Sequence, residues 1–235
     1  MKAWELIDSC DVPDDDGVMY LHRRGGEYVI HVDGAELMTN QDHGSEDALA
    51  DLACDLLADL GHARVLVGGL GMGFTMAAAL RRVGRQGVVT VAELMPAVVR
   101  WNRDYVGEAA RHPLRDRRSR VHVGSVSELL GPQAQWDAIL LDVDNGPRDL
   151  SRAQNSSLYD YEGLLAAGEA LAPGGVLGIW SATPDDTLTD RLEQLGFQVA
   201  VHEHFQPGRP HSDYNSHHVL WMATSGVARA KAKAS

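Results

Sequence analysis

Between Arg64 and Thr75 an apolar run, Val65-Leu66-Val67, breaks into glycines at 69, 71 and 73 and becomes a helical pattern from Met76 to Val83. The stretch predicts a buried strand, a tight turn and a helix N-terminus. Alternating glycines let the backbone adopt positive φ and let a ligand approach the main chain, while the following helix points unpaired N–H groups and its positive dipole end at that ligand. The spacing G-x-G-x-G followed by Phe74 lacks the third glycine of the dinucleotide signature G-x-G-x-x-G, which argues against NAD. A second apolar run, Gly87 to Ala92, ends in Glu93, where an acid can accept both hydroxyls of a ribose. Together the two features predict a ribose-bearing ligand.

The remaining chain alternates in the same way. Pro96 opens a helix carrying Val98, Val99, Trp101, Asn102 and Tyr105, Arg120 to Val123 is a third strand, and Trp136 to Leu141 is a fourth. The fourth strand runs into Asp142-Val143-Asp144-Asn145, which places two carboxylates at a strand exit, the edge where open α/β sheets bind ligands. A helix from Leu158 to Ala172, the turn Pro173-Gly174-Gly175, a fifth strand Val176 to Trp180 and a helix Asp185 to Leu195 follow. Phe197 to Val201 and His218 to Ala223 close the fold as an antiparallel pair.

Ahead of the glycine turn, a helix capped by Ser45 carries Glu46 and Asp47 in its first turn, then Leu49, Leu52, Ala53, Leu56, Leu57 and Leu60, until Gly61 ends it. Before it, Ala3 to Ile7, Val18 to His22 and Glu27 to Val32 predict a small antiparallel sheet. The expected organisation is an N-terminal β subdomain over residues 1–43, a Rossmann-like domain over 44–226 and a disordered basic tail over 227–235.

A length of 235 residues suits one main domain, and the formal charge of −12 disfavours a protein that coats nucleic acid. No run of about 18 apolar residues predicts a transmembrane helix. Two cysteines are too few for a disulfide framework, and the opening residues lack a signal-peptide pattern, so the expected address is cytoplasmic. Asp14-Asp15-Asp16 reads as a solvated loop, and His202, His204, His211, His217 and His218 lack the carboxylate or cysteine that would complete a ligand pattern. No metal is expected.

With an N-terminal hairpin sheet, a helix, alternating strands and helices and a closing antiparallel strand, the chain resembles the spermidine synthases, a branch of the class I S-adenosylmethionine-dependent methyltransferase fold. The carrying residues are Asp33-Gly34 with Thr39, Asp42 and Ser45, then Val65-Leu66, the three glycines, Ala92-Glu93, Val123-Gly124 and Asp137 to Asp142. Ser157-Leu158-Tyr159 and Leu171 to Leu177 extend the match over nearly the whole chain. The resemblance implies a mostly parallel seven-stranded sheet with an antiparallel last strand, and a homodimer built partly through the hairpin. It implies that Gly69, Gly71, Gly73 and Glu93 hold an adenosyl ligand, that Gly124 and Ser125 border adenine, and that Asp142 faces the reacting centre.

The chain departs from the family pattern at several contacts. Met72 stands where spermidine synthases hold the amine of decarboxylated S-adenosylmethionine with an aspartate, Leu37 replaces a donor-contacting glutamine, Glu46 an acceptor-site tyrosine, and Ser125 an adenine-side aspartate. An ammonium beside Met72 without a carboxylate would bear a desolvation cost of several kcal/mol, so ordinary S-adenosylmethionine fits that point better.

The expectation is a transferase using an S-adenosyl donor, with methyl transfer to a small-molecule acceptor slightly ahead of aminopropyl transfer from decarboxylated S-adenosylmethionine to a polyamine. Asp142 and Asp144 are the candidate base and acceptor holder, with Gln41, His43, Glu46, Asn145 and Tyr159 as neighbours of the acceptor. The rival from another class is a catalytically silent nucleoside-binding scaffold, suggested by the altered contacts.

Overall fold

A computed structural model describes residues 2–12, 17–143, 157–205 and 217–225, in two sheets with helices on both faces of the larger. The first sheet is four-stranded and antiparallel, with strands in sequence order: β1 (Glu5–Asp11), β2 (Val18–Arg24), β3 (Glu27–Val32) and β4 (Ala35–Thr39). The sequence predicted three of these strands. The fourth follows a two-residue turn in which Asp33 and Gly34 both take positive φ, 51° and 83°, the geometry that folds a tight hairpin back on itself.

The second sheet is seven-stranded, in the order β10-β11-β9-β8-β5-β6-β7. Its parallel part comprises β5 (Arg64–Gly68), β6 (Val88–Glu93), β7 (Ser119–Val123), β8 (Trp136–Leu141) and β9 (Leu171–Ser181). The closing strands β10 (Phe197–Phe205) and β11 (His217–Ser225) pair antiparallel with each other, and β11 pairs antiparallel with β9. This is the Rossmann-like architecture expected. Strands β5 and β8 are buried on both faces, which is why they read as unbroken apolar runs.

Among the described residues five α-helices pack against it: α1 (Gly44–Asp55), α2 (Phe74–Arg82), α3 (Pro96–Asp104), α4 (Tyr161–Ala170) and α5 (Asp186–Gln194). Three helix boundaries differ from the pattern in the sequence. His43, not Ser45, occupies the cap position of α1 and makes no side-chain cap; Ser45 is buried and its hydroxyl is used elsewhere. The same helix ends at Asp55, a turn before Gly61, because Leu56 and Leu57 bond back to Ala53 and Cys54 and Leu56 faces solvent. Helix α4 starts at Tyr161 because Asp160 accepts the Gly163 N–H at 2.8 Å, a side-chain cap that stops the helix short of Leu158. Pro173-Gly174-Gly175 lies within β9, whose pairing with β8 shifts register between Trp136 and Ala138.

Helix α1 sits where it does because Leu49, Ala50 and Ala53 bury one face against the sheet; a side chain on Gly178 of β9 would come within 3.3 Å of Leu49. Glu46 lies one helical turn before Leu49, on that same face, and is thereby carried to the C-terminal edge of the strands. Among the described residues no helix is long and apolar enough to cross a membrane.

Candidate active site

Three strand exits are pinned side by side by backbone hydrogen bonds: Gly69 N–H to the Ala92 carbonyl, Gly124 N–H to the Glu93 carbonyl, and Asp142 N–H to the Gly68 carbonyl, each 2.9 Å. The chain ends of β5, β6, β7 and β8 therefore form one ledge. Glycine is required at 69 twice over: its φ is +88°, and a Cβ there would lie 2.1 Å from the Asp142 carbonyl oxygen. Without that close approach the end of β8 could not reach the glycine turn.

Over this ledge lies a single cavity whose walls include Gly69, Gly71, Met72, Glu93, Gly124 and Ser125 on one part and Glu46, Asp142, Trp180 and His218 on another. Glu93 and Asp142 thus open onto the same space. Glu93, buried at the end of β6, accepts the Leu70 N–H on Oε2 at 2.9 Å and the Met95 N–H on Oε1 at 2.7 Å. The two bonds fix the orientation of the Glu93 carboxylate at the strand exit, where an acid is placed to meet the hydroxyls of a ribose. Ser125 is already committed in part, its N–H bonded to Glu128 and its hydroxyl 2.7 Å from that of Ser127 in a reciprocal capping arrangement.

Met38 of β4 covers the middle of the turn, where a Cβ on Gly71 would meet its methyl carbon at 2.6 Å. Gly73 does not face the cavity. It takes φ +90° as the cap residue of α2 and lies against Asn102, whose side-chain N–H groups bond the Gly71 and Val98 carbonyls at 2.7 and 3.1 Å.

The part of the cavity between α1 and the end of β8 is acidic. Thr75, buried in the first turn of α2, donates its hydroxyl to Asp142 Oδ2 at 2.5 Å. Ser45 lies 2.6 Å from Glu46 Oε2, and His218 Nδ1 lies 2.8 Å from the Ser45 hydroxyl. Crowding out of water raises Asp142 from 3.8 to about 6, a rise that the Thr75 bond opposes. Glu46 is raised further, from 4.5 to about 8, first by burial and then by the negative charge of Asp142. Both side chains are part-buried walls of the cavity.

The other expected acceptor neighbours are dispersed. Gln41 is exposed and donates to Asn40 Oδ1 at 3.2 Å; His43 stacks on Phe74 with ring centres 4.1 Å apart and lies 3.0 Å from Asp47 Oδ2. Tyr159 is 2% exposed, packs in the core beneath the sheet, and donates its hydroxyl to the Val143 carbonyl at 3.4 Å. Asp144 and Asn145 lie outside the described residues. The sequence reading missed Trp180, His218 and Thr75 as parts of the site, along with the cavity-lining carboxylates Glu36 and Asp42. Trp180 was accessible by the rule that finds Glu93 and Asp142, since it too stands near the C-terminal end of a parallel strand.

No family model matches the sequence. A polyamine aminopropyltransferase of Mycobacterium tuberculosis is 33% identical over 180 residues, a match covering 71% of this chain and 31% of that protein; one of Mycobacterium bovis matches equally. The match thus spans about a third of the length of these curated relatives. Among solved structures, the spermidine synthase of Thermotoga maritima superposes with a TM-score of 0.73 at 18% identity, covering 94% of this chain and 73% of the other. A spermidine synthase in complex with the transition-state analogue AdoDATO gives the same TM-score at 19% identity and the same coverage.

Proposed function

Since the chain is a spermidine synthase-like protein with the class I S-adenosylmethionine-dependent methyltransferase fold, we propose that it transfers an aminopropyl group from a decarboxylated S-adenosylmethionine donor to a cationic amine. One observation carries the acceptor class: among the described residues, Glu36, Asp42, Glu46, Glu93 and Asp142 all line the cavity, and no lysine or arginine does. Such a wall attracts a polyamine and opposes an anionic acceptor.

Glu93 fits the ribose, and Gly124 and Ser125 the base edge. The donor supplies a carbon made electrophilic by its sulfonium, and the electron pair of the broken C–S bond stays on sulfur as the C–N bond forms. Asp142 draws in the acceptor ammonium, and Glu46 binds it. Asp142 then takes a proton from that nitrogen, freeing the lone pair that attacks; its raised pKa makes it a better base than an ordinary aspartate. Thr75 holds the receiving carboxylate in place.

Met72 supports a second reading. It is 1% exposed and apolar where a donor ammonium would lie, which favours ordinary S-adenosylmethionine and methyl transfer. The sequence alone ranks that reading slightly ahead; the curated relatives and the acidic cavity support the reverse order. Titration calorimetry with both donors and with methylthioadenosine tests the proposal. Tighter binding of the decarboxylated donor is expected, the opposite order would replace aminopropyl with methyl transfer, and no heat with any adenosyl compound would leave a silent scaffold.

A further inference from the structure

Glu46 ends a chain of three groups from two distant elements. Its Oε2 lies 2.6 Å from the Ser45 hydroxyl on α1, and that hydroxyl lies 2.8 Å from Nδ1 of His218 on β11. A hydroxyl has one proton to give, so the chain has two self-consistent states. With Glu46 ionised, Ser45 donates to Glu46 and His218 Nδ1–H donates to Ser45. With Glu46 protonated, Glu46 donates to Ser45 and Ser45 donates to Nδ1, which then carries no proton. Ser45 is fully buried and cannot exchange a lost bond for solvent, so its hydroxyl must follow the protonation state of Glu46.

We propose that acceptor binding is proton-linked at this chain: on entry of the ammonium the Glu46 proton passes to the Ser45 oxygen, the Ser45 proton passes to Nδ1 of His218 and the Nε2 proton of that ring leaves to solvent, so that one proton is released in all and Ser45 with His218 is reversed to hold the carboxylate that remains. The inference rests on the cationic-acceptor reading above. It makes Glu46 an ammonium-binding residue, and Ser45 and His218 positioning residues that act through it.

The charges around Glu46 support this. Asp142 faces it from the end of β8, Asp47 lies beside it on α1, and Glu36 and Asp42 share the cavity wall. His218 is the basic neighbour on β11, and the His204 ring of β10 lies against Gly44 at the start of α1. Trp180 on β9 stands 4.7 Å from the His218 ring and contributes no charge. In the substrate-free protein the surrounding negative charge favours a proton on Glu46; an ammonium supplies the compensating positive charge and removes the need for it.

The test is calorimetry of putrescine binding to the full chain at pH 7 in buffers of different ionisation enthalpy, for wild type, Glu46→Gln and His218→Asn. Wild type is expected to release about one proton per putrescine bound, falling toward zero by about pH 9. Glu46→Gln, which copies the protonated form and so keeps the fold, is expected to bind with that release gone. The ring nitrogens of His218, followed by 15N NMR, are expected to exchange tautomer on binding, and the exchange is absent in Glu46→Gln. In His218→Asn a retained release at lower affinity fits the positioning role. Binding without release, or release that persists in Glu46→Gln because it comes from the amine itself, overturns the proton linkage while leaving the acceptor class standing. Failure of putrescine and of longer polyamines to bind at all overturns the acceptor reading instead.

Discussion

Thr75 Oγ1 stands 2.5 Å from Asp142 Oδ2, joining the first turn of α2 to the exit of β8 although 67 residues separate them in sequence. The bond stabilises the ionised carboxylate, so its removal should raise the Asp142 pKa above the value it now holds. Thr75→Val is expected to move the acid limb of the rate profile up by about one pH unit, the equivalent of ~1.5 kcal/mol for a hydrogen bond to a charged group, slowing turnover about tenfold at pH 5 and only about twofold at pH 7. Thr75→Ser keeps the donor and should behave as wild type. An unshifted acid limb in Thr75→Val would remove Asp142 from the role of base.

Glu93, proposed above to hold the ribose, also braces the fold. Glu93→Ala strands the Leu70 and Met95 N–H groups, a cost of about 1–3 kcal/mol for each left without a partner. Its melting temperature should fall, and methylthioadenosine should bind at least tenfold more weakly. Glu93→Gln keeps one acceptor oxygen and should fall between. A variant that melts lower but binds methylthioadenosine undiminished would confine Glu93 to bracing the turn.

The raised pKa of Glu46 fixes a sign for stability against pH. A carboxyl whose folded pKa exceeds its unfolded value binds its proton more tightly when folded. Its contribution is complete below about pH 4.5 and is lost as pH climbs toward about 8, with a parallel loss for Asp142 between 3.8 and about 6. Melting of the ligand-free protein should therefore decline from pH 6 to pH 8. Glu46→Gln should flatten that decline and melt higher than wild type at pH 8, with little difference near pH 4.5. Equal slopes in the two proteins would show that Glu46 is not the titrating group.

What the sequence revealed follows from how local each signal is. Glu93 and Asp142 were legible because a strand that ends in an acid puts that acid at a known edge of the sheet. Asp33-Gly34 between two β-prone runs was an equally local sign of the β3–β4 hairpin, and it went unread because Ala35 to Thr39 is short and ends in a polar passage. Ser45 and His218 meet across 173 residues, a pairing that no spacing within either segment encodes. Ser45 looked like a helix cap because serine before acidic residues usually is one; the buried bond to His218 took its place. Tyr159 matched a family pattern, yet its side chain points into the core on the far side of the site's wall.

The central claim, that an adenosyl sulfonium seated between Glu93 and Asp142 gives up an aminopropyl group to an amine, is tested most directly by product identity. The purified protein is incubated with putrescine and each of the two donors in turn, and the adenosyl thioether is separated and weighed by mass spectrometry. Methylthioadenosine together with aminopropylated putrescine is expected from the decarboxylated donor, abolished in Asp142→Asn. S-adenosylhomocysteine with a methylated amine from the ordinary donor, and no methylthioadenosine from the other, would contradict it.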